Sequence, residues 1–175
     1  MTPMQEQQEF LAGLVFGSTL AGTTQRGHLY RKESNELIRK QFRSALRFAL
    51  ENLWPQYKQQ ISHEQHCANI KALSDELSGA HMDALIGGRF RIGSAQKALN
   101  LYLKFMWCLD QIERPPHCPF DSWIVSKIPG CKVKWTQLTT LDEYEYLVGQ
   151  ARRVAGDMPL AEWELREYQK IIGVK

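Results

Sequence analysis

From Leu37 to Leu53 the apolar residues Ile38, Phe42, Ala45, Leu46, Ala49 and Leu53 recur every three or four positions. That spacing puts them on one face of a helix. Trp54-Pro55 closes the pattern, because a residue before proline disfavours the helical region. Ser62 with Gln65 reads as a capping box opening a helix from His63 to about Ser78, and Thr140 with Glu143 repeats the device ahead of a helix from Asp142 to Val154. Pro159 suits the first turn of a last helix through Glu162, Leu165 and Tyr168. An N-terminal helix is expected over about Gln5 to Leu20. Strand-like alternation is nearly absent, Lys132 to Trp135 being the sole short candidate. The pattern predicts an all-α protein of six to eight helices, with no repeat or linker to divide residues 1–175 into two domains.

The most informative stretch runs from Met82 to Ile128. Gly87, Gly88 and Gly93 punctuate two helical patterns, which predicts a tight turn at about 86–94. Ser94 is expected to cap a long helix from Ala95 to about Leu109. Amides at such a helix start, with those of the turn, suit a phosphate. Gly87, Gly88, Arg89, Arg91, Gly93 and Ser94 are therefore candidate DNA contacts. The plainer reading is a glycine-rich turn between helices with no ligand.

Composition adds little. At 43% hydrophobic and 23% charged, the chain is an ordinary globular sequence. The net charge of +3 permits a nucleic-acid partner without establishing one. Arg26, Arg31, Lys32, Arg39, Lys40, Arg43 and Arg47 form a basic run, which on charge alone reads as a solvated helix face. No run of about 18 apolar residues occurs, so no membrane span is expected. MTPMQEQQEF lacks a secretory pattern, and a cytoplasmic protein is expected. Cys67, Cys108, Cys118 and Cys131 show no CxxC spacing and are expected as free thiols. His63, His66 and Cys67 lie close together, as do His117 and Cys118, but the spacing matches no common zinc template. No metal or cofactor is expected.

The helix after the turn begins QKALNLYLK, and CPFDSWIVSKI follows downstream. The first segment, through Lys97, Ala98, Asn100, Leu101 and Leu103, resembles the second hairpin helix of the helix-hairpin-helix DNA glycosylases, the endonuclease III and 8-oxoguanine glycosylase group. The second resembles the element that carries their aspartate, with Asp121 in its place. The likeness covers about a quarter of the chain, with the hairpin at about 82–110 and the aspartate element at about 117–128. The lysine–aspartate gap is 24 positions, wider than in commoner members, with CLDQIERPPH as the insert. IGGRFRIG lacks the compact leucine-x-glycine-x-glycine form. Both departures resemble the archaeal 8-oxoguanine glycosylase branch.

The resemblance implies a monomeric enzyme that acts on a base extruded from duplex DNA. Its substrate would be oxidised guanine or, as in members serving phage defence, a bulky modified cytosine such as glucosylated hydroxymethylcytosine. Lys97 and Asp121 would be catalytic. The residue types suit the chemistry. Breaking the base–sugar bond develops oxocarbenium character at C1′, which a carboxylate stabilises. An amine attacking C1′ gives a covalent imine and hence strand cleavage at the abasic site. The helix start and partial burial are expected to favour the reactive form of Lys97, and Asp121 could take its proton. If Gln96 occupied the lysine's register instead, a monofunctional enzyme would result. Trp107, His117 and Trp123, with Phe105 and Trp135, are candidates for a base pocket, although each also suits an ordinary core. A non-enzymatic helix-hairpin-helix DNA-binding module fits the same glycines and basic helix; a third class is a helical protein-interaction domain in which Asp121 only caps a helix.

Overall fold

A computed structural model of the chain describes residues 2–24 and 29–173. Among them are seven α-helices and no strand. The helices are α1 (Pro3–Thr24), α2 (Glu36–Leu53), α3 (His63–Ala80), α4 (Ile92–Cys108), α5 (Ser122–Ser126), α6 (Leu141–Ala155) and α7 (Leu160–Ile172). The all-α expectation holds. The strand candidate at Lys132–Trp135 does not: a 3-10 turn occupies Trp135–Gln137 instead. Among the described residues, extended pairing is limited to an isolated bridge between Tyr30 and Leu85.

The amphipathic pattern of α2 buries Phe42, Leu46, Ala49 and Leu50, each large side chain stabilising the fold by about 1.5–3 kcal/mol. Asn35 caps it by accepting from the Ile38 amide, and the helix ends where the Trp54-Pro55 pair predicts. A 3-10 turn, Trp54–Lys58, follows. The box at Thr140–Glu143 forms in full. That at Ser62 is half made: Ser62 caps the Gln65 amide, but Gln65 turns its side chain to Asn69.

Helix α4 is the axis of the molecule. It packs against α1, α3 and α6, and every residue from Ile92 to Asn100 is buried. It starts three residues before the expected Ala95, so Ser94 lies inside the helix and caps nothing; Arg91 is the cap residue. The reason is Gly93. A Cβ there would sit 1.7 Å from the Trp135 carbonyl oxygen, and the Gly93 amide donates to Leu138 O at 3.0 Å. The glycine lets the Trp135–Gln137 turn close over the first turn of α4. Gly87 and Gly88 serve differently: both have positive φ, 64° and 66°, as the tight turn Ile86–Gly88 requires. Leu29–Arg31 anchors that turn through Ile86 N to Leu29 O and Arg31 N to Ala84 O, each 3.0 Å.

At its other end α4 stops without glycine. Asp110 takes the left-handed conformation, φ 55°. Its amide bonds Trp107 O at 3.0 Å and the Gln111 amide bonds Met106 O at 2.9 Å, the paired bonds of a Schellman ending. The chain then runs through Pro115 and Pro116 to Asp121, which caps α5 by accepting from the Trp123 and Ile124 amides at 3.0 and 2.9 Å.

Candidate active site

Lys97 projects from the second turn of α4, and its Nζ donates to Asp121 Oδ2 at 2.8 Å. The lysine side chain is 7% exposed and the aspartate 34%. Burial and three groups act on the carboxylate. Burial pushes its pKa up, but the Lys97 charge and hydrogen bond and the Ile124 and Trp123 amides outweigh burial, holding it below the usual carboxylate value. Oδ1 takes the amides and Oδ2 takes the lysine, so fold and lysine hold the charge separately. Gly22 of α1 lies against the Lys97 stem: a Cβ there would meet Leu101 Cδ2 at 2.6 Å and Lys97 Cε at 4.0 Å.

The register of Lys97 is set by its neighbour. Gln96 is fully buried. Its Nε2 donates to Phe120 O at 2.8 Å and its Oε1 accepts from Phe120 N at 3.2 Å. The segment leading into Asp121 is thereby clamped to α4, and Gln96 takes no part at the amine's position.

Behind the clamp runs a buried polar chain. Asn100 donates to Gln96 Oε1 (3.2 Å) and Tyr144 Oη (3.1 Å) and accepts from His66 Nε2 (2.8 Å). A carbonyl oxygen only accepts, so His66 carries its proton on Nε2 and its Nδ1 accepts from Tyr57 Oη at 2.7 Å. Burial holds the His66 pKa down at about 4, so the ring is neutral. Tyr144 Oη lies 2.7 Å from His117 Nδ1. His117 is thus a wholly buried member of this chain, which corrects its place as a pocket wall.

The other aromatic candidates separate. Trp123 follows Asp121 closely and meets Tyr168 of α7 edge-on, centroids 6.4 Å apart, with Lys127 Nζ 4.7 Å from its ring centre. Trp107 lies ten residues beyond Lys97, about 15 Å along the helix. Trp135 is buried, its Nε1 donating to Ser122 Oγ at 3.2 Å. Trp123 is the candidate placed beside the pair. A cavity of about 640 Å³ between α1, α2, Trp54 and α4 is lined by Tyr102 and Met106, which face about 140–180° around the helix from Lys97. It belongs to the opposite side of α4.

The DNA-contact candidates divide as well. Gly87 and Arg89 are exposed, and Arg89 lies 3.4 Å from Asp75 across a half-exposed pair. Arg91 donates to Thr136 O at 3.1 Å, Gly93's amide is taken by Leu138, and Ser94 is buried. The start of α4 is therefore packed against protein rather than open to a phosphate, which corrects the expectation of an anion site there. Much of the basic run is ion-paired: Arg31 with Glu33, Arg43 with Glu36, and Arg47 with Glu51. Arg26 lies outside the described residues.

Sequence reasoning misses a second lysine–carboxylate pair. Lys104, two turns beyond Lys97 on α4, meets Glu164 of α7, with Nζ 2.9 Å from Oε1 and 2.7 Å from Oε2. The stripe of Lys97, Asn100 and Lys104 at helical spacing in an apolar helix is the signal that could have found it. The partners Tyr144 and Glu164 carry none. No helix among the described residues is long and apolar enough to cross a membrane. Compared with known protein families, characterised proteins and solved structures, the chain matches none.

Proposed function

We propose that the protein is a DNA glycosylase that removes a damaged or modified base and then opens the abasic site, with Lys97 as nucleophile and Asp121 as its electrostatic partner. The observation that carries this reading is the buried Lys97 amine 2.8 Å from a carboxylate whose charge the α5 amides stabilise independently of the lysine. Once one proton is lost, Nζ attacks C1′ of the extruded nucleotide. The Nζ–C1′ bond forms as the base leaves with the glycosidic electron pair and takes up a proton. Opening of the sugar ring at C1′–O4′ then gives an iminium, which permits elimination of the 3′-phosphate. Asp121 faces the positive charge developing at C1′. Arg89 and the open Gly87–Gly88 turn would hold a backbone phosphate; Arg91 would instead support the turn through Thr136.

Resemblance suggests oxidised guanine or a bulky modified cytosine as the base. The test is incubation of the full chain with duplexes bearing each class of modified base and with modified phage DNA, scored for released base. Borohydride is added in parallel to trap the iminium as a stable secondary amine. Release with a trapped adduct that disappears in Lys97→Ala supports the proposal. Release without an adduct makes the enzyme monofunctional and removes the nucleophile role. DNA binding without release across the panel favours the non-enzymatic module. Arg89→Ala should make the slope of log affinity against log salt shallower by about 0.9 for each phosphate that is no longer neutralised.

A further inference from the structure

Away from Lys97, the structure gathers three metal-ligating side chains from positions up to 54 residues apart in sequence. His63 and Cys67 stand one turn apart at the start of α3, and His117 reaches them from the long connection between α4 and α5. His63 Nδ1 is 2.8 Å from His117 Nε2, and His63 Nε2 is 3.9 Å from Cys67 Sγ. One ligand atom from each lies within 4.8 Å of the others. Glu145 of α6 adds a carboxylate, its Oε1 3.4 Å from His63 Nε2. A zinc tetrahedron with bonds of about 2.1 Å to nitrogen and 2.3 Å to sulfur has edges of about 3.4–3.6 Å, so the side chains need close by only about an ångström.

We propose that His63, Cys67 and His117, with Glu145 as the fourth ligand, form a structural zinc site that staples α3, the connection leading to Asp121, and α6. Three features support it. His117 is anchored through one ring nitrogen, Nδ1 against Tyr144 Oη at 2.7 Å, while the other points into the cluster. That is the usual orientation of a metal-bound imidazole with an outer hydrogen-bond partner. Cys67 is buried one turn along α3 from His63 and faces its Nε2. Binding of a divalent cation there would release the thiol proton to solvent. The site also closes a connection that has no helix of its own from Leu109 to Asp121. Two neighbours are not ligands: His66 is committed to Tyr57 and Asn100, and Arg152 Nη2 lies 3.3 Å from His63 Nδ1 at the rim.

The test uses the tag-free full chain. Elemental analysis should find one zinc per chain. Substituting cobalt(II) should give the near-ultraviolet thiolate charge-transfer band and strong visible bands of a tetrahedral site. Cys67→Ser should lose the charge-transfer band, and His63→Ala should lose the metal. Tyr144→Phe should weaken zinc binding about 10–100-fold while leaving the ligand set intact. Chelation should lower Tm, and added zinc should restore it. Neither readout involves DNA, so the outcome is independent of the glycosylase reading. A metal-free chain whose Tm and cobalt spectrum do not respond to either ion overturns the site. So does a charge-transfer band that survives in Cys67→Ser. Should His63→Ala fail to fold, Glu145→Gln, at a more exposed position, serves in its place and should weaken zinc binding; unchanged affinity there removes Glu145 as a ligand and overturns the four-ligand site as proposed.

Discussion

Helix α4 carries two lysine–carboxylate pairs of nearly equal length, and they are built on opposite principles. Lys97–Asp121 spans 2.8 Å and Lys104–Glu164 spans 2.7 Å. Asp121 has two backbone amides on its second oxygen and a side chain one-third open to solvent. Glu164 is 6% exposed, and its Oε2, although close to the ammonium, makes no hydrogen bond. Burial accordingly raises the Glu164 pKa despite the opposing pull of Lys104, whereas the Asp121 carboxyl is held low. Asp121 keeps two amide hydrogen bonds when its lysine leaves, whereas Glu164 has only Lys104 to bond. A lysine that must leave its partner to attack carbon belongs in a pair of the first kind. Lys104 is further confined by the Tyr168 ring, 4.4 Å from Nζ to its centre.

The largest expected difference between the pairs is chemical. Lys97→Ala should abolish the borohydride-trapped adduct on an active substrate, while Lys104→Met, judged per folded molecule, should keep it. An adduct that follows Lys104 instead would reverse the roles of the pairs. Next comes stability. Glu164→Gln mimics the protonated acid that this site favours, so it should be at least as stable as wild type near neutral pH. Lys104→Met, in contrast, leaves a buried carboxylate without its counter-charge and should cost about 3–5 kcal/mol in denaturant unfolding. Lys104→Met with Glu164→Leu should recover most of that loss, because apolar replacement of a whole buried pair is often neutral or better. Asp121→Asn still caps α5 but leaves the Lys97 ammonium, 7% exposed, without its counter-charge, so it should cost some folding stability, less than Lys104→Met. It should nonetheless slow base release about 10²–10³-fold. Equal unfolding costs for Lys104→Met and Asp121→Asn would erase the distinction between the pairs.

What can be read from the chain follows from where each signal resides. Local signals survive: the apolar stripe of α2, the Thr140–Glu143 box, and the positive φ at Gly87 and Gly88 are properties of a few adjacent residues. Lys97 and Asp121 stand out through their flanks, and they meet in space. The start of α4 is misplaced by its sequence because Gly93 answers to a carbonyl 42 residues later, at Trp135, and not to its own turn. Ser94 has the right residue type for a cap but sits inside the helix that Gly93 allows to begin early. His117 suits a pocket by its chemistry, but packing places it in a polar chain. Its partners Tyr144 and His63 come from two other helices, and no pattern near residue 117 points to them. Glu164 escapes notice for the same reason, since a charged residue on an amphipathic helix usually faces water.

The smallest expected effect separates the pairs by acidity alone. Free aspartate and glutamate titrate near about 3.9 and 4.3. Asp121 is lowered in the fold, so its stabilising contribution is complete above about pH 3.9 and is lost as pH falls through its lower folded value. Glu164 is raised, so the folded state takes up its proton first. Its ionisation costs stability as pH rises from about 4.3 through the folded value, and acid relieves that cost. A protonated glutamate resembles glutamine. The Tm difference between Glu164→Gln and wild type should therefore vanish in acid and favour the variant as pH rises above the ordinary glutamate range. The Tm deficit of Asp121→Asn, present near neutral pH, should persist until below the ordinary aspartate range. Any metal lost to acid is lost from both variants and from wild type, and it cancels in the comparison of deficits. Thermal scans of the three proteins across the acid range would show the order. If the Asp121→Asn deficit closes above the ordinary aspartate range, or Glu164→Gln loses Tm relative to wild type as pH rises, the two carboxylates are not held as their surroundings imply, and the structural reason for assigning chemistry to one pair and packing to the other is gone.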